Sequence, residues 1–307
     1  MRRTIAGLGV AVLAALSLSA CGSSSNPVST GSTSGGASAP GSITIGSGNF
    51  TESTLLAEIY AGALQAKGVK VTTKLNIGSR EVYFPAVKSG TIDLIPEYSG
   101  TLLQYLDAKA TAVSSTDVYT ALQQALPSSL TVLDQASAED SDAIVVTQAT
   151  AAKYHATSIA DLAPSCGQLT FGGPPEMQTR VDGLPGLKSH YNCVFGTFKA
   201  LDAGGPLTVA ALKSGAVQAA DIFTTDSSIK ANNWVALTDP KNNFAAQNVV
   251  PVINKSKLTD TIKAALNAVQ AKLDTATLAD LDAQLNAPDK PDPSDVAQTW
   301  LKKVGLA

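Results

Sequence analysis

The 307-residue chain is poor in the side chains on which most catalysis depends. It has three cysteines and two histidines, His155 and His190, and no C-x-x-C, H-E-x-x-H or G-x-S-x-G motif. That leaves little for Ser-His or Cys-His chemistry, for a thiol redox centre or for a zinc protease. There is no G-x-x-x-x-G-K-[ST] loop, so any work that needs ATP has to be supplied by a partner. Lysine and arginine are scattered, and the formal net charge of −3 provides no basic face for nucleic acid. No cofactor and no metal are expected. His190 stands three positions before Cys193 but reads as a solvated loop histidine rather than a metal ligand.

What the chain does have starts at its amino terminus. "MRRTIAGLGVAVLAALSLSAC" places two arginines before an apolar run from Ile5 to about Leu18 and ends on Leu-Ser-Ala-Cys. This is the layout of a secretory signal peptide over residues 1–21, and the run is too short and too abruptly ended for a resident membrane span. The "GLGVAV" inside it has no preceding strand and is not a dinucleotide fingerprint. Residues 22–41 are almost wholly Ser, Gly, Thr, Ala and Pro, without charge, and read as a flexible tether. Without Arg2 and Arg3 the chain has 20 basic and 25 acidic residues, a net charge of −5. In an exported protein the even pair Cys166 and Cys193, 27 positions apart, suggests a disulfide.

From Ser42 the pattern alternates. "SITIGS" reads as a strand, "TESTLLAEIYAGALQAKG" as a helix ended by Gly68, and "VKVTTKLNIG" as a strand. "SREVYFPAVKSG" then reads as a helix and "TIDLIPEY" as a strand, an order that favours a parallel sheet covered by helices. A second copy begins near Leu169. "VKSGTIDLIPEYSG" has a partial echo in "LKSGAVQAADIFTT", with Tyr98 and Phe223 each ten positions after the lysine. Gly46 to Tyr98 spans 52 positions and Gly172 to Phe223 spans 51, so two similar α/β halves are expected. "QNVVPVIN" adds a strand, and three helical patterns follow: Leu258 to Leu273, Leu278 to Leu285, and one capped at Pro293-Ser294-Asp295. If this tail packs on the first half, residues 42–141 plus 247–307 form one lobe and 142–246 the other. The chain then crosses twice, near Asp142 and near Gln247. Ligands of open α/β sheets bind beyond the carboxyl ends of the strands, which aims Tyr98 and Phe223 into one cleft.

"ITIGSGNFTES", "PEYSGT", "RVDGLPGLK", "DIFTTD" and "LTDPKNNFAAQNVVPVI", in that order, resemble the substrate-binding lipoproteins of osmoprotectant ABC transporters, the glycine betaine, choline, carnitine and proline type. The resemblance covers residues 42 to 307. It implies a two-lobed α/β clamshell of the periplasmic-binding-protein kind (type II-like) that delivers a small solute to a permease driven by a partner ATPase. No catalysis is implied. Leu-Ser-Ala-Cys resembles a lipobox, which makes Cys21 the site of lipidation and implies a monomer anchored on the outer face of the cell membrane.

Relatives that bind quaternary ammonium enclose it in four tyrosines, and each ring face contributes up to about 2 kcal/mol. On this alignment Tyr98 keeps one position, Asp142 stands at the second, Phe223 at the third and Gln247 at the fourth. Arg180 matches a carboxylate-binding arginine and Thr101 a threonine three residues past the first cage tyrosine, while Gly48 stands where many relatives have lysine, beside the candidate Asn49. Only two ring faces are expected, which shifts the ligand away from glycine betaine and toward an amine, a choline-like cation or a hydroxyl-rich solute held by Asp142. An internal ion pair between Asp142 and Arg180 is the alternative for those two. Asp93 and Glu97 flank one strand and suit hydrogen bonding at the hinge. Two other functions share much of this pattern: a clamshell sensor for a membrane receptor, and an exported enzyme.

Overall fold

A computed structural model describes residues 41–287 and 289–307. The expected leader, Cys21 and the tether residues 22–40 lie outside the described residues. Among the described residues ten strands run in chain order: β1 (Ser42–Gly46), β2 (Lys70–Lys74), β3 (Leu94–Tyr98), β4 (Leu130–Val132), β5 (Ile144–Val146), β6 (Thr170–Gly173), β7 (Thr197–Ala200), β8 (Ala219–Asp221), β9 (Val235–Ala236) and β10 (Val249–Asn254).

They form two mixed sheets with the same plan, ordered β2-β1-β3-β10-β4 and β7-β6-β8-β5-β9. In the first, β1 is parallel to β2 and β3, and β10 runs antiparallel between β3 and β4. In the second, β6 is parallel to β7 and β8, and β5 runs antiparallel between β8 and β9. The antiparallel strand of each sheet is the first one the chain makes after crossing from the other. The "KSG" echo is thus a topological equivalence. Helix Arg80–Lys88 leads into β3 as helix Pro206–Lys213 leads into β8, and Gly90 and Gly215 both turn the chain with φ near 75°.

Central strands are buried on both faces and read as continuous apolar runs, whereas the edge strand β2 alternates. Helix Thr51–Gln65 is apolar on nearly every side because it is covered by the first sheet and by the C-terminal helices. Those helices are Asp260–Gln270, Thr275–Leu285 and Pro293–Val304, each opened by a side-chain cap from Thr259, Asp274 or Asp292. The last lies so close to helix Thr51–Gln65 that a Cβ on Gly62 would come within 2.6 Å of Leu301 Cδ1. Cys166 and Cys193 are joined in the second lobe.

The two crossing segments run side by side. Glu139 and Asn248 form an antiparallel bridge, and Asp140 N–H donates to the Gln247 carbonyl at 3.2 Å. This two-stranded connection carries Asp142 at one end and Gln247 at the other.

Candidate functional site

Every ligand-binding candidate from the sequence lies beyond the carboxyl end of a strand or on the crossing segments, and one cleft receives them all. Asn49 follows β1, Tyr98 ends β3, Thr101 lies one turn into helix Ser99–Leu106, and Phe223 follows β8. Arg180 follows the short 3-10 turn Pro175–Gln178 after β6. Together with Asp142 and Gln247 they line one cavity between the sheets. The approach there is close. A Cβ on Gly100 would meet the Ala246 carbonyl at 2.7 Å, so the residue beside Tyr98 and Thr101 has to lack one.

The ring set is larger than expected. Phe50 also lines the cavity, with its centroid 5.9 Å from Tyr98 and 5.4 Å from Phe223. Two lobes therefore contribute three neighbouring rings to one wall. Phe50 is the residue immediately before helix Thr51–Gln65, and the signal for it was the aromatic inside "GNFTES".

The arginines are engaged. Arg80, which the sequence reading missed, is 6% exposed and grips the fully buried Glu97 with Nε and Nη2 at 2.8 to 3.1 Å. Its Nη2 also donates to Thr101 Oγ1 at 3.0 Å, and Tyr83 O–H donates to Glu97 at 2.7 Å. Glu97 thus neutralises an arginine that lines the cavity. Asp93 accepts from Thr44 N–H at the other end of β3, away from the cleft.

Arg180 reaches across the mouth to the first lobe. Its Nε and Nη2 donate to the two oxygens of Glu81 at 3.0 and 3.1 Å, and Glu176 lies 3.9 Å from Nη2. Burial pulls the Glu81 carboxyl up, but hydrogen bonds from Arg180 and Ser79 and the Arg180 charge together outweigh it and hold the group at about 2. Asp142 acts on Arg180 only through its charge, so the ion pair that ties down Arg180 is the one with Glu81.

Carboxyls outnumber these cations. Burial raises Asp142 against the pull of Arg180 and Arg80, and raises Asp182 to about 6. Asp221 is fully buried, with no donor to either oxygen, and its neighbour is the Asp142 carboxyl. Two carboxyls in that position hydrogen-bond only if one carries a proton. Gln247 is 1% exposed. Its Oε1 accepts from Thr101 N–H at 3.0 Å, and its Nε2 donor has no protein partner. Among the described residues no cluster of histidine, cysteine and carboxylates is arranged to hold a metal ion.

Residues 41–303 match the substrate-binding domain of ABC-type glycine betaine transport systems. The chain is 30% identical over 277 residues to the glycine betaine-binding protein YehZ of Escherichia coli K12, covering 86% of this chain and 90% of that one. It is 28% identical over 281 residues to a glycine-betaine-binding protein of Pseudomonas aeruginosa PAO1, covering 86% and 88%. Among solved structures, that of a glycine betaine/carnitine/choline ABC transporter protein superposes with a TM-score of 0.68 at 25% identity, covering 86% of this chain and 99% of that one. The chain belongs to the family of extracytoplasmic substrate-binding proteins of ABC importers, which capture a small solute for a membrane permease and are not enzymes.

Proposed function

We propose that this protein is anchored to the outer face of the cell membrane by lipid on Cys21 and captures a small compatible solute of the betaine, choline or carnitine kind. Residues 22–41 act as its tether, and it works as a monomer with an ABC permease and its ATPase. The lobes are taken as residues 42–141 plus 247–307 and residues 142–246. The observation that carries this reading is the convergence of Tyr98, Phe50 and Phe223, from two lobes, on one cavity that also holds Asp142 and Gln247. Ring faces attract a cation, and a desolvated site makes that attraction stronger.

The charge balance favours the cationic end of this solute range. Arg80 and Arg180 are already engaged by Glu97 and Glu81, while Asp142, Asp182 and Asp221 add acid to the same region. A solute carboxylate would enter a site rich in like charge; a choline-like cation would relieve it. Asp142 would then face the cation, and the free Gln247 amide would donate to the solute's hydroxyl.

Thermal unfolding in the presence of choline, carnitine, glycine betaine and proline tests both parts. A solute at 100 times its dissociation constant adds about 2.7 kcal/mol of stability. Choline is expected to stabilise more than glycine betaine, and both Tyr98→Ala and Asp142→Ala to abolish its effect. No stabilisation by any of the four would sink the reading, and glycine betaine ahead of choline would sink only the charge argument.

A further inference from the structure

Behind the rings lies a second group of acids, which reaches the cavity at Asp140. Glu52, in the first turn of helix Thr51–Gln65, is 5% exposed. Tyr98 O–H donates to its Oε1, and Thr225 O–H, from the second lobe, donates to its Oε2 at 2.9 Å. One carboxyl thus holds a cleft ring of the first lobe and the segment that follows Phe223 in the second. Asp282, on helix Thr275–Leu285, faces Glu52, and Asp140, on the crossing segment, accepts from Thr225 N–H at 3.0 Å. Helix Thr275–Leu285 also packs against helix Ser227–Ala231 of the second lobe, which begins next to Asp226. Among the described residues, the ionisable groups around Glu52 are Tyr98 on β3, Asp282 and Asp140, with Asp226 next to Asp282, and they include no cation.

We propose that Glu52 is a positioning residue and a proton-linked latch: the lobes close most tightly when the Glu52 and Asp282 carboxyls share a proton. This rests on the clamshell reading above but not on the identity of the solute. Burial, and after it the charge of Asp282, push Glu52 far above the usual carboxylate range, and Asp282 sits at about 7. Parting the lobes takes Thr225 from Glu52 and readmits water, which returns these acids toward about 4.3 and 3.9. The closed form then binds more protons than the open form wherever the pH lies between the open and closed values. In that window acid favours closure and alkali opens it.

Choline keeps its charge at every relevant pH and is the probe. Between pH 8 and 5.5 its affinity should rise as pH falls, by at most about tenfold per unit for one linked proton. Asp142, Asp182 and Asp221 titrate against a cation in the opposite sense, so the readout is the difference between wild type and Glu52→Gln, which keeps the shape and stays neutral. Calorimetry in phosphate and in bis-Tris at pH 6.5 should show that the wild type takes up more protons on binding than Glu52→Gln.

Small-angle scattering without solute separates this idea from the solute assignment. The wild type should contract between pH 8 and 5.5, Glu52→Gln should be compact at both, and Thr225→Val should stay expanded at both. Thermal unfolding of each variant identifies any that fails to fold. If wild type and Glu52→Gln follow the same pH course in scattering, the latch is overturned, even if choline binds; if choline fails to bind but the contraction is seen, only the solute reading fails.

Discussion

The two lobes have the same sheet and stabilise it differently. The first has helices Asp260–Gln270, Thr275–Leu285 and Pro293–Val304 around helix Thr51–Gln65, and its main core extends from Ile43 to Leu301. The second has no such wrapping. Its cores are smaller, its equivalent strands shorter, and Cys166–Cys193 closes a loop of 27 residues in their place. A cross-link that limits the unfolded chain does in one lobe what extra apolar burial does in the other.

The tryptophans allow the comparison to be tested lobe by lobe, because Trp300 lies in the first core and Trp234 beside the second. The largest effect is expected from Trp300→Ala, which empties the contact between helix Pro293–Val304 and helix Thr51–Gln65 and should cost about 3 to 5 kcal/mol in urea unfolding. A loss under about 1 kcal/mol would mean the wrapping is not what holds the first lobe. Next is Cys166→Ser with Cys193→Ser, expected to cost about 3 kcal/mol. Followed by Trp234 fluorescence in a Trp300→Phe background, that loss should appear in the second lobe alone; equal loss by both reporters would erase the distinction.

Smaller effects concern the cleft that the lobes share. Phe223→Ala should weaken choline by about 1 to 2 kcal/mol, or roughly 5- to 30-fold in calorimetry. Tyr98→Ala should cost more, since it also removes the donor to Glu52. Equal losses would make the two rings interchangeable in spite of their different anchors. The smallest effect is that of Glu81→Gln, whose half-exposed pair with Arg180 is worth at most about 1 kcal/mol. Because Glu81 is held at about 2, its contribution is complete above the ordinary carboxylate value and fades as pH falls toward 2. A wild-type minus Glu81→Gln difference that instead grew on acidification would contradict the pairing.

How much of this was legible depended on distance along the chain. The repeat, the alternation of strands and helices and the paired cysteines rest on local patterns, and "KSG" followed by a ring located β3 and β8 together, whereas the antiparallel β10 and β5 make mixed sheets of the expected parallel ones. Phe50 sat in plain sight within "GNFTES", but a ring in a glycine turn has no periodicity to show which way it faces. The Arg80–Glu97 pair and the Glu52–Asp282 contact left no trace. Their partners come together only because parallel strands and a returning C-terminal helix bring remote residues side by side, and an acid looks the same in sequence whether solvated or buried. Asp93 and Glu97, four positions apart, were read as one group and lie at opposite ends of a strand.

The Arg180–Glu81 pair at the mouth differs from everything deeper in being half open to water. Dissolved ions reach it and do not reach the rings: the screening length falls from about 8 Å at physiological ionic strength to about 3 Å at 1 M. Concentrated salt therefore loosens the rim while leaving the hydrophobic and hydrogen-bonded floor at strength. In a briny medium the mouth pair would therefore add less to holding the two lobes together than in dilute buffer, while the rings and hydrogen bonds beneath it would add the same.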